Sequence, residues 1–332
     1  MKRFIIFCIS LSLPLVIMVV YYIMEDPYKV IWHYDNYYSS DNVITLNRGY
    51  VSTMHYINHH EKYGFDSFIF GSSRSIVYHE EEWKKYIPKY SRCFHFDFFT
   101  GSVGDLYGEI KCIDKNGTLR NALIILDSEM LSVTENYGVL NSLPPVLKDG
   151  KNKLSFHNTY IWPFYKFGFF KAYIDYKIHK NFKPYMISYL TDPKRSMGYN
   201  PANNELDTDK TEEKISNGIY YNAETIKGFK NAQFPGKVSN FALNQERKEM
   251  LREIKSIFDT QKTDYRIVIS PLYDQVKTNP ADLQYLYDVF GEDFVFDFSG
   301  PNKWNSDYHN YYEPSHYRPC VANELMRIVY TN

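Results

Sequence analysis

A Gly-Ser-Ser turn after an apolar run is the first feature of this chain that could do chemistry. The run FDSFIF (65–70) ends at Gly71, Ser72 and Ser73. A serine on a tight turn between a strand and a helix exposes its hydroxyl at the edge of a sheet, and its own backbone N–H faces the same point. The N-terminus of the following helix stabilises a developing oxyanion there. Ser73 is therefore a candidate nucleophile for acyl transfer, although most such turns are only turns.

A histidine near the C-terminus could supply the base that Ser73 needs. In YYEPSHYRP, Glu313 precedes His316 by three residues, and Pro314 constrains the loop between them. An acid at this spacing can bind one ring nitrogen and fix the tautomer, so that the other nitrogen faces a nucleophile. Either motif alone is common by chance. Together, at the end of the first strand and just before the last helix, they predict a triad of Ser73, His316 and Glu313.

Other residues compete with this triad or could add to it. Asp307, six residues before Glu313, is an alternative acid. Arg74, directly after Ser73, could form a salt bridge on its helix or bind an anionic substrate. The histidines that could replace His316, but that fit a surface or core role better, are His59, His60, His79, His95 and His309.

Short apolar runs predict the sheet that positions these residues. Strand-like runs occur at 65–70, 92–98, 121–127, 265–270 and 294–299. Segments with helical spacing or helix-end residues occur at 79–87, 103–113, 244–261, 281–291 and 318–330. This alternation predicts a three-layer α/β/α domain around a mostly parallel five-stranded sheet. Ligands bind at the carboxyl ends of such strands, which is where Ser73, Asp127 and the SPLYD sequence (270–274) lie.

An insertion at about 128–235 interrupts the alternation. Within it, 157–190 is rich in aromatic residues and predicted to be helical, and 191–235 is polar and predicted to be a mobile loop. Some of the aromatic rings must pack on the core. Others, such as Trp162 and Phe164, could form a sugar-stacking wall beside Ser73, which we favour, or a face that rests on a membrane.

The two motifs together resemble those of the SGNH/GDSL hydrolase superfamily. In that family the nucleophilic serine follows the first strand in a Gly-Asp-Ser or Gly-Ser-Ser turn, and an Asp-x-x-His sequence precedes the last helix. Residues 71–73 match the first block, and 313–316 match the last, with glutamate in place of aspartate. Gly101 fits the second-block glycine, whose N–H lines the oxyanion hole. Residues 126–128 match the third block, Gly-x-Asn-Asp, poorly, so the oxyanion hole is expected to be either incomplete or built without the usual asparagine donor.

The resemblance, which covers roughly 65–130 and 262–330, implies an SGNH, flavodoxin-like fold and acyl-ester chemistry without a metal or organic cofactor. The N–H groups of Ser73 and Gly101 would bind the oxyanion, and Arg74 and Asp127 are further candidates for substrate contact. The layout is similar to that of alginate O-acetylation proteins and of teichoic acid D-alanyl transfer proteins. It implies an envelope or exported polysaccharide as substrate and a membrane-bound O-acyltransferase as partner. The resemblance does not distinguish an esterase from a transferase, because both form the same acyl-enzyme. The alternative is a non-catalytic glycan-binding protein that keeps this fold, favoured by the altered third block and by the glutamate at position 313.

The N-terminal segment predicts a membrane anchor over residues 1–26. From Phe4 to Met24 the chain carries no charge, and a helix of that length reaches about 30 Å, enough to cross a bilayer. Lys2 and Arg3 before it predict that residues 27–332 lie outside the cytoplasm, on the periplasmic or cell-surface side. A cleaved signal peptide is the alternative, but no small-x-small cleavage site follows the apolar run. Residues 27–64 are predicted to be a juxtamembrane lead-in to a domain over 65–332.

Charge and cysteine content exclude several classes of function. The formal net charge is −1 and no basic block occurs, whereas a nucleic-acid-binding protein needs a cationic face. No GxGxxG or Walker sequence indicates a nucleotide. Cys93, Cys112 and Cys320 lie outside the predicted anchor without zinc-site spacing. They are either three buried thiols, which we favour, or include one bridge between Cys93 and Cys112.

Overall fold

The central element of the protein is a five-stranded parallel sheet. The computed structural model describes residues 2–38, 42–148, 153–193 and 197–331, and of 2–11 the backbone alone. The strands are β1 Ser67–Gly71, β2 Cys93–Asp97, β3 Asn121–Leu126, β4 Gly198–Asn200, β5 Glu205–Asp207, β6 Asp264–Ile269, β7 Val295–Asp297, β8 Tyr311–Glu313 and β9 His316–Tyr317. The sheet has the order β2-β1-β3-β6-β7, and β4–β5 and β8–β9 are separate antiparallel pairs. Each of the five predicted strands is confirmed as a member of this sheet, and every pairing in it is parallel.

Helices cover both faces of the sheet and form the insertion. They are α1 Lys2–Glu25, α2 Arg48–Tyr63, α3 Glu80–Trp83, α4 Val103–Asn116, α5 Ser128–Ser132, α6 Lys153–Phe164, α7 Phe167–His179, α8 Asp209–Ser216, α9 Ala223–Phe229, α10 Gln245–Gln261, α11 Pro280–Phe290 and α12 Pro319–Thr331. The helix predicted over 79–87 is confirmed only as the short α3. Pro88 disfavours helical geometry at the residue before it, which explains why the helix does not extend to Ile87.

Alternating side chains of the strands divide the core into two apolar layers. Phe68 and Phe70 of β1 pack with residues of α4, α10 and α11 on one face of the sheet. Ile69, between them in sequence, packs with residues of α12 and with Trp83 on the other face. Successive residues of a strand point to opposite faces. The uninterrupted apolar runs of the sequence therefore correspond to strands buried on both sides.

The segment predicted to be a lead-in contains a helix of the domain itself. Helix α2 packs against β2, and its Tyr56 is buried against Phe94 and Phe96. Arg48, at the start of α2, forms a buried ion pair with Asp97 at the end of β2 and also donates to the carbonyl of Asn204 at 2.7 Å. Removing one partner of a buried ion pair costs about 3–5 kcal/mol. Residues 48–63 of the predicted lead-in therefore pack as part of the α/β core.

The insertion contains more helices and strands than the sequence predicts. The part expected to be a polar loop contains β4, β5, α8 and α9. Its hairpin lies along the edge strand β2, where the backbone N–H of His95 donates to the carbonyl of Asn203 at 3.0 Å. Covering an edge strand in this way prevents it from pairing with another chain.

The end of α1 packs on the helical part of the insertion. Tyr22 is buried against Phe164, and the Tyr165 hydroxyl donates to the carbonyl of Met18 at 2.5 Å. Glu25 pairs with Lys177 at 2.8 Å. In the described part of the chain, no helix combines the length and apolar character that a membrane crossing needs. Because Met18, Tyr22 and Glu25 all contact the insertion, the last two turns of the predicted anchor are part of the folded protein.

The three described cysteines are free thiols, so the alternative of a Cys93–Cys112 bridge is not realised. Cys93 is buried and Cys112 is half-buried. Cys320 is exposed, and the expectation of three buried thiols is wrong for this residue.

A buried acid on α4 gives the first testable prediction. Glu109 is fully buried, and neither carboxylate oxygen has a hydrogen-bond partner among the described residues. Burial raises the pKa of Glu109 well above its usual range, and Asp105 and Asp97 raise it further. The folded protein therefore binds more protons than the unfolded chain, so this group favours folding at low pH and loses that contribution as the pH rises.

We expect Glu109→Met to stabilise the protein at pH 8 by about 1–3 kcal/mol, the usual cost of an unpaired buried polar group. The gain should be smaller at pH 5, as urea unfolding at the two pH values would measure. Glu61→Met, at an exposed position of α2, is the matched control and should change neither value. A Glu109→Met protein that is less stable at both pH values would contradict the prediction.

Candidate active site

The structure brings Ser73, His316 and Glu313 into one chain of contacts. Ser73 Oγ lies 2.7 Å from Nε2 of His316. On the other side of the ring, Nδ1 of His316 is hydrogen-bonded to Oε1 of Glu313. When Nδ1–H donates to the carboxylate, Nε2 is left as the acceptor for the serine hydroxyl. This is the arrangement in which a histidine can take the proton of an attacking serine.

Ser73 is placed by the end of β1 and by a 3₁₀ turn over Ser73–Val77. A 3₁₀ turn therefore follows the serine directly, and α3 begins only at Glu80. The first hydrogen bond of the turn runs from the backbone N–H of Ser75 to the carbonyl of Ser72, at 2.8 Å. A Cβ atom on Gly71 would come within 2.8 Å of Ser75 Cβ and 3.0 Å of the carbonyl oxygen of Ile125. Only glycine fits there, which explains the residue type at the start of the motif.

The hairpin β8–β9 holds the other two residues of the triad. Glu313 and His316 are paired across it, with Pro314 and Ser315 at its tip. Tyr317 is buried next to His316, and its hydroxyl lies 3.0 Å from that of Tyr78. The sequence predicts a loop here, whereas the structure has a hairpin fixed by a buried tyrosine. This fixed position keeps the imidazole close to the serine turn.

Hydrogen bonds keep Glu313 ionised. Burial acts to raise the pKa of Glu313, but donation from His316 and from the backbone N–H of Ser315, at 3.0 Å, outweighs it and leaves the pKa below its usual range. A carboxyl with a lowered pKa favours the folded state above its unfolded pKa and loses this contribution as the pH falls through the folded value. The carboxylate is therefore available to orient His316 at neutral pH.

Gly101 lies beside the nucleophile turn, as the sequence predicts. It lines a cavity of about 190 Å³ together with Ser73 and His316. A Cβ atom on Gly101 would lie 3.2 Å from Met130 Sδ and 3.4 Å from Ser72 Cβ. The chain at Gly101 therefore packs closely against the turn that carries Ser73 and against α5. Within the described residues, no asparagine or glutamine lines this cavity, so the cavity offers no side-chain amide as a third oxyanion donor.

Arg74 forms salt bridges and does not point freely into the cavity. Its Nη1 donates to Asp127 Oδ2 at 2.5 Å, and its Nη2 donates to Glu129 Oε2 at 3.0 Å. Its Nε donates to the carbonyl of Ser315 at 3.3 Å. Burial lowers the pKa of Arg74, but Asp127 and Glu129 outweigh it and raise the pKa. Arg74 therefore joins the turn that carries Ser73 to the end of β3 and to the hairpin β8–β9, which is called the histidine hairpin below.

Asp127 acts as the N-cap of α5. Its Oδ1 accepts from the backbone N–H of Met130 at 2.9 Å, and its side chain is almost fully buried. With Oδ2 bound to Arg74, both carboxylate oxygens have partners within the protein. Arg74 forms salt bridges, as one of the two predictions has it, but with Asp127 and Glu129 after β3 and not with a residue of its own helix.

The aromatic pair predicted to stack on sugars is split by the structure. Phe164 is fully buried in a cluster with Tyr22 and Tyr173. A ring without exposed surface cannot stack on a substrate, and this corrects the expectation for Phe164. Trp162 is 65% exposed on α6. Neither residue lines the cavity at Ser73.

The competing acid and histidines have other partners. Asp307 Oδ1 lies 2.8 Å from Nδ1 of His309, so this acid is paired with a different imidazole. His95 is buried, with Nε2 2.9 Å from Ser75 Oγ, and burial lowers its pKa to about 4. Ring nitrogens of His59 and His60 contact backbone carbonyls of α2. His79 precedes α3 at its N-cap position.

Sequence reasoning missed two groups at the site. One is Ser315, whose backbone N–H donates to Glu313 and whose carbonyl accepts from Arg74. The other is the segment around Lys237 and Asn240, just after the insertion, which lines a second cavity next to the triad. The opposite wall of this cavity includes Leu272 and Asp274 of the SPLYD sequence, whose position at the end of a strand is the one feature of the sequence that points to it.

Neither the family models nor the curated proteins contain a match to this chain.

Proposed function

We propose that the protein is a serine-dependent acyl-ester hydrolase or O-acyltransferase, with Ser73, His316 and Glu313 as its triad. The observation that carries the proposal is the continuous hydrogen-bonded chain from Ser73 Oγ through the His316 ring to Glu313. Residues 243 positions apart in sequence meet there with the atoms of each in the order that proton transfer requires.

In the proposed reaction, Ser73 Oγ attacks the acyl carbonyl while His316 Nε2 takes its proton. The carbonyl oxygen then carries the negative charge of a tetrahedral intermediate, and the backbone N–H groups of Ser73 and Gly101 are the candidate donors to it. His316 returns the proton to the alcohol oxygen as the ester C–O bond breaks. Water or a second alcohol attacks the acyl-serine by the same route in reverse. Glu313 orients the imidazole and stabilises its charged form.

The order of the strands supports an SGNH-type, flavodoxin-like assignment. Numbered by chain order within the sheet, the strands run 2-1-3-4-5, which is the doubly wound order of flavodoxin-like folds. In these folds ligands bind where the strand order reverses, between the first and third strands. Ser73 follows β1 and Asp127 follows β3, so the proposed nucleophile lies at this point.

A non-catalytic glycan-binding protein is the second candidate. The absence of an asparagine or glutamine from the described lining of the Ser73 cavity favours it, because one missing oxyanion donor costs about 10²–10³-fold in rate. Labelling with a fluorophosphonate separates the two candidates, because this reagent reacts with an activated serine whatever the natural acyl group. The enzyme should be labelled in its native state and not after unfolding. A native protein that resists the reagent favours the binding protein.

We also propose that α1 attaches the protein to a membrane and that the domain lies outside the cytoplasm, with an envelope or exported polysaccharide as substrate. The charge-free run from Phe4 to Met24 after Lys2 and Arg3 supports the attachment. Exposed apolar side chains on α1, among them Leu15, Ile17 and Val20, support it further. A membrane-bound O-acyltransferase is the partner that the family resemblance implies.

Protease added to intact spheroplasts should digest the domain and leave a cytoplasmic marker protein intact. The N-terminus of the mature protein should begin before the apolar run, because no cleavage site follows it. Protection of the domain until the cells are lysed would contradict the proposed topology, and a mature N-terminus near residue 25 would mean a cleaved signal peptide instead.

A further inference from the structure

A second cavity, of about 380 Å³, adjoins the site of the triad. It shares Arg74, Glu129 and Ser315 with the smaller cavity that contains Ser73 and His316. The larger cavity thus begins on the side of the site where the histidine hairpin lies. Since His316 gives its proton to the leaving oxygen, the alcohol part of an ester is expected on this side.

The outer wall of the cavity is formed by Lys237–Asn240, just after the insertion, and its position is fixed by backbone hydrogen bonds. The N–H of Lys277 donates to the carbonyl of Lys237 at 2.9 Å, and the N–H of Ser239 donates to the carbonyl of Lys277 at 2.8 Å. Phe234 N–H donates to the carbonyl of Asp274 at 2.7 Å. A wall held in this way is preformed, as ligand sites usually are.

The charges that face the cavity balance each other. Its charged lining residues are the cations Arg74 and Lys237 and the anions Glu129 and Asp274. Arg74 and Glu129 are already paired with each other. A phosphate or uronate would meet no excess of positive charge here. Ser128, Ser239 and Asn240 add hydroxyl and amide groups, which suit a ligand with many neutral hydroxyl groups.

Exposed aromatic rings lie next to this wall in the sequence. Phe241 is 54% exposed and directly follows Asn240, and Phe234 is 48% exposed three residues before Lys237. Such rings can pack on the apolar faces of sugars, as the sequence led us to expect of Trp162 and Phe164. Stacking on sugar rings, which the sequence predicts for Trp162 and Phe164, is therefore available from Phe234 and Phe241 instead.

We propose that this cavity, walled by Lys237–Asn240 and Asp274, binds the alcohol part of the substrate as a neutral sugar unit, with the ester carbonyl next to Ser73. The proposal rests on the proposed acyl-ester function and adds to it the place where the sugar binds and the absence of charge on that sugar. A volume of about 380 Å³ exceeds what a single acetyl group fills and admits one or two sugar rings.

The test compares two acetyl esters on the full-length protein. Methyl 6-O-acetyl-glucopyranoside carries a neutral sugar, and 4-nitrophenyl acetate does not. We expect Asn240→Trp, which fills the cavity, and Lys237→Gln, which removes a charged donor, to raise KM for the sugar ester roughly tenfold. Kinetics with 4-nitrophenyl acetate should not change. Lys230→Gln, at an exposed lysine of the insertion outside the cavity, is the matched control.

Equal losses with both esters would mean that these residues only support the catalytic hairpin, and no loss with either would mean that the sugar binds elsewhere; both results overturn the proposal. Binding of the sugar ester to Ser73→Ala protein, measured by calorimetry, separates the site from the reaction. If the wild-type protein hydrolyses neither ester, the acyl-ester function fails, yet weaker binding to Ser73→Ala/Asn240→Trp than to Ser73→Ala still supports the sugar site. No binding to Ser73→Ala overturns it.

Discussion

Ser73→Ala should abolish labelling by a fluorophosphonate and lower ester turnover by about 10⁶-fold, the loss seen when a triad serine is removed. The reason is the geometry of its hydroxyl, since Ser73 Oγ lies 2.7 Å from the imidazole nitrogen that would take its proton. Alanine removes the nucleophile and leaves the backbone N–H of residue 73 in place. The measurement is labelling of the purified protein, followed by steady-state hydrolysis of 4-nitrophenyl acetate.

Ser72 is the matched control within the same turn. Its side chain is almost fully buried, and its Oγ accepts from the N–H of Arg74 at 3.4 Å, so it supports the turn without facing His316. Ser72→Ala should therefore retain labelling and most of the activity. If Ser72→Ala loses labelling and Ser73→Ala keeps it, the assignment of the nucleophile is wrong by one residue. Thermal unfolding of both variants shows whether a loss reflects the fold.

The sheet could be predicted because its strands are buried on both faces. An uninterrupted apolar run such as Asn121–Leu126 is best explained as a buried strand when helical segments separate it from the other runs. The two motifs could be placed near each other for the same reason, since the carboxyl ends of parallel strands share an edge. Contact between Ser73 and His316 followed from chain order and chemistry, without knowledge of the hairpin.

Helix α2 was missed because its buried face is only partly apolar. Its inward residues include Arg48, His55 and His59, each of which has at least one polar partner within the fold. A search for apolar residues at helical spacing cannot detect such a face, because the partners of the polar groups lie far away in sequence. Asp97, the partner of Arg48, lies 49 residues away.

The aromatic residues of the insertion show a second limit of sequence reasoning. Trp162 and Phe164 are two positions apart, yet one is 65% exposed and the other is fully buried. On a helix, residues two apart face different directions, but the sequence does not say which direction is inward. The orientation of α6 depends on its packing with α1 through Tyr22 and with α7 through Tyr173. The sequence of α6 alone contains neither partner.

Glu313→Gln should lower turnover by about 10⁴-fold, the loss found when the orienting carboxylate of a triad is replaced by an amide. The carboxylate accepts from Nδ1–H of His316 and so keeps Nε2 free to take the serine proton. An amide can present its NH₂ group to Nδ1 instead, which favours the opposite tautomer and places a proton on Nε2. The loss should appear in kcat more than in KM, because Glu313 does not line the cavity at Ser73.

Two further variants test whether the carboxylate of Glu313 itself is responsible. Glu313→Asp keeps the charge but shortens the side chain by one methylene, so it should retain part of the rate. Asp307→Asn should have little effect, because Asp307 is paired with His309 and not with His316. Since the pKa of Glu313 lies below its usual value, the advantage of wild type over Glu313→Gln should persist at mildly acid pH and disappear only as the carboxylate is protonated. Full activity of Glu313→Gln, or a large loss in Asp307→Asn alone, would assign the orienting role to another acid, and in that case the short contact between His316 and Glu313 would serve only to shape the hairpin.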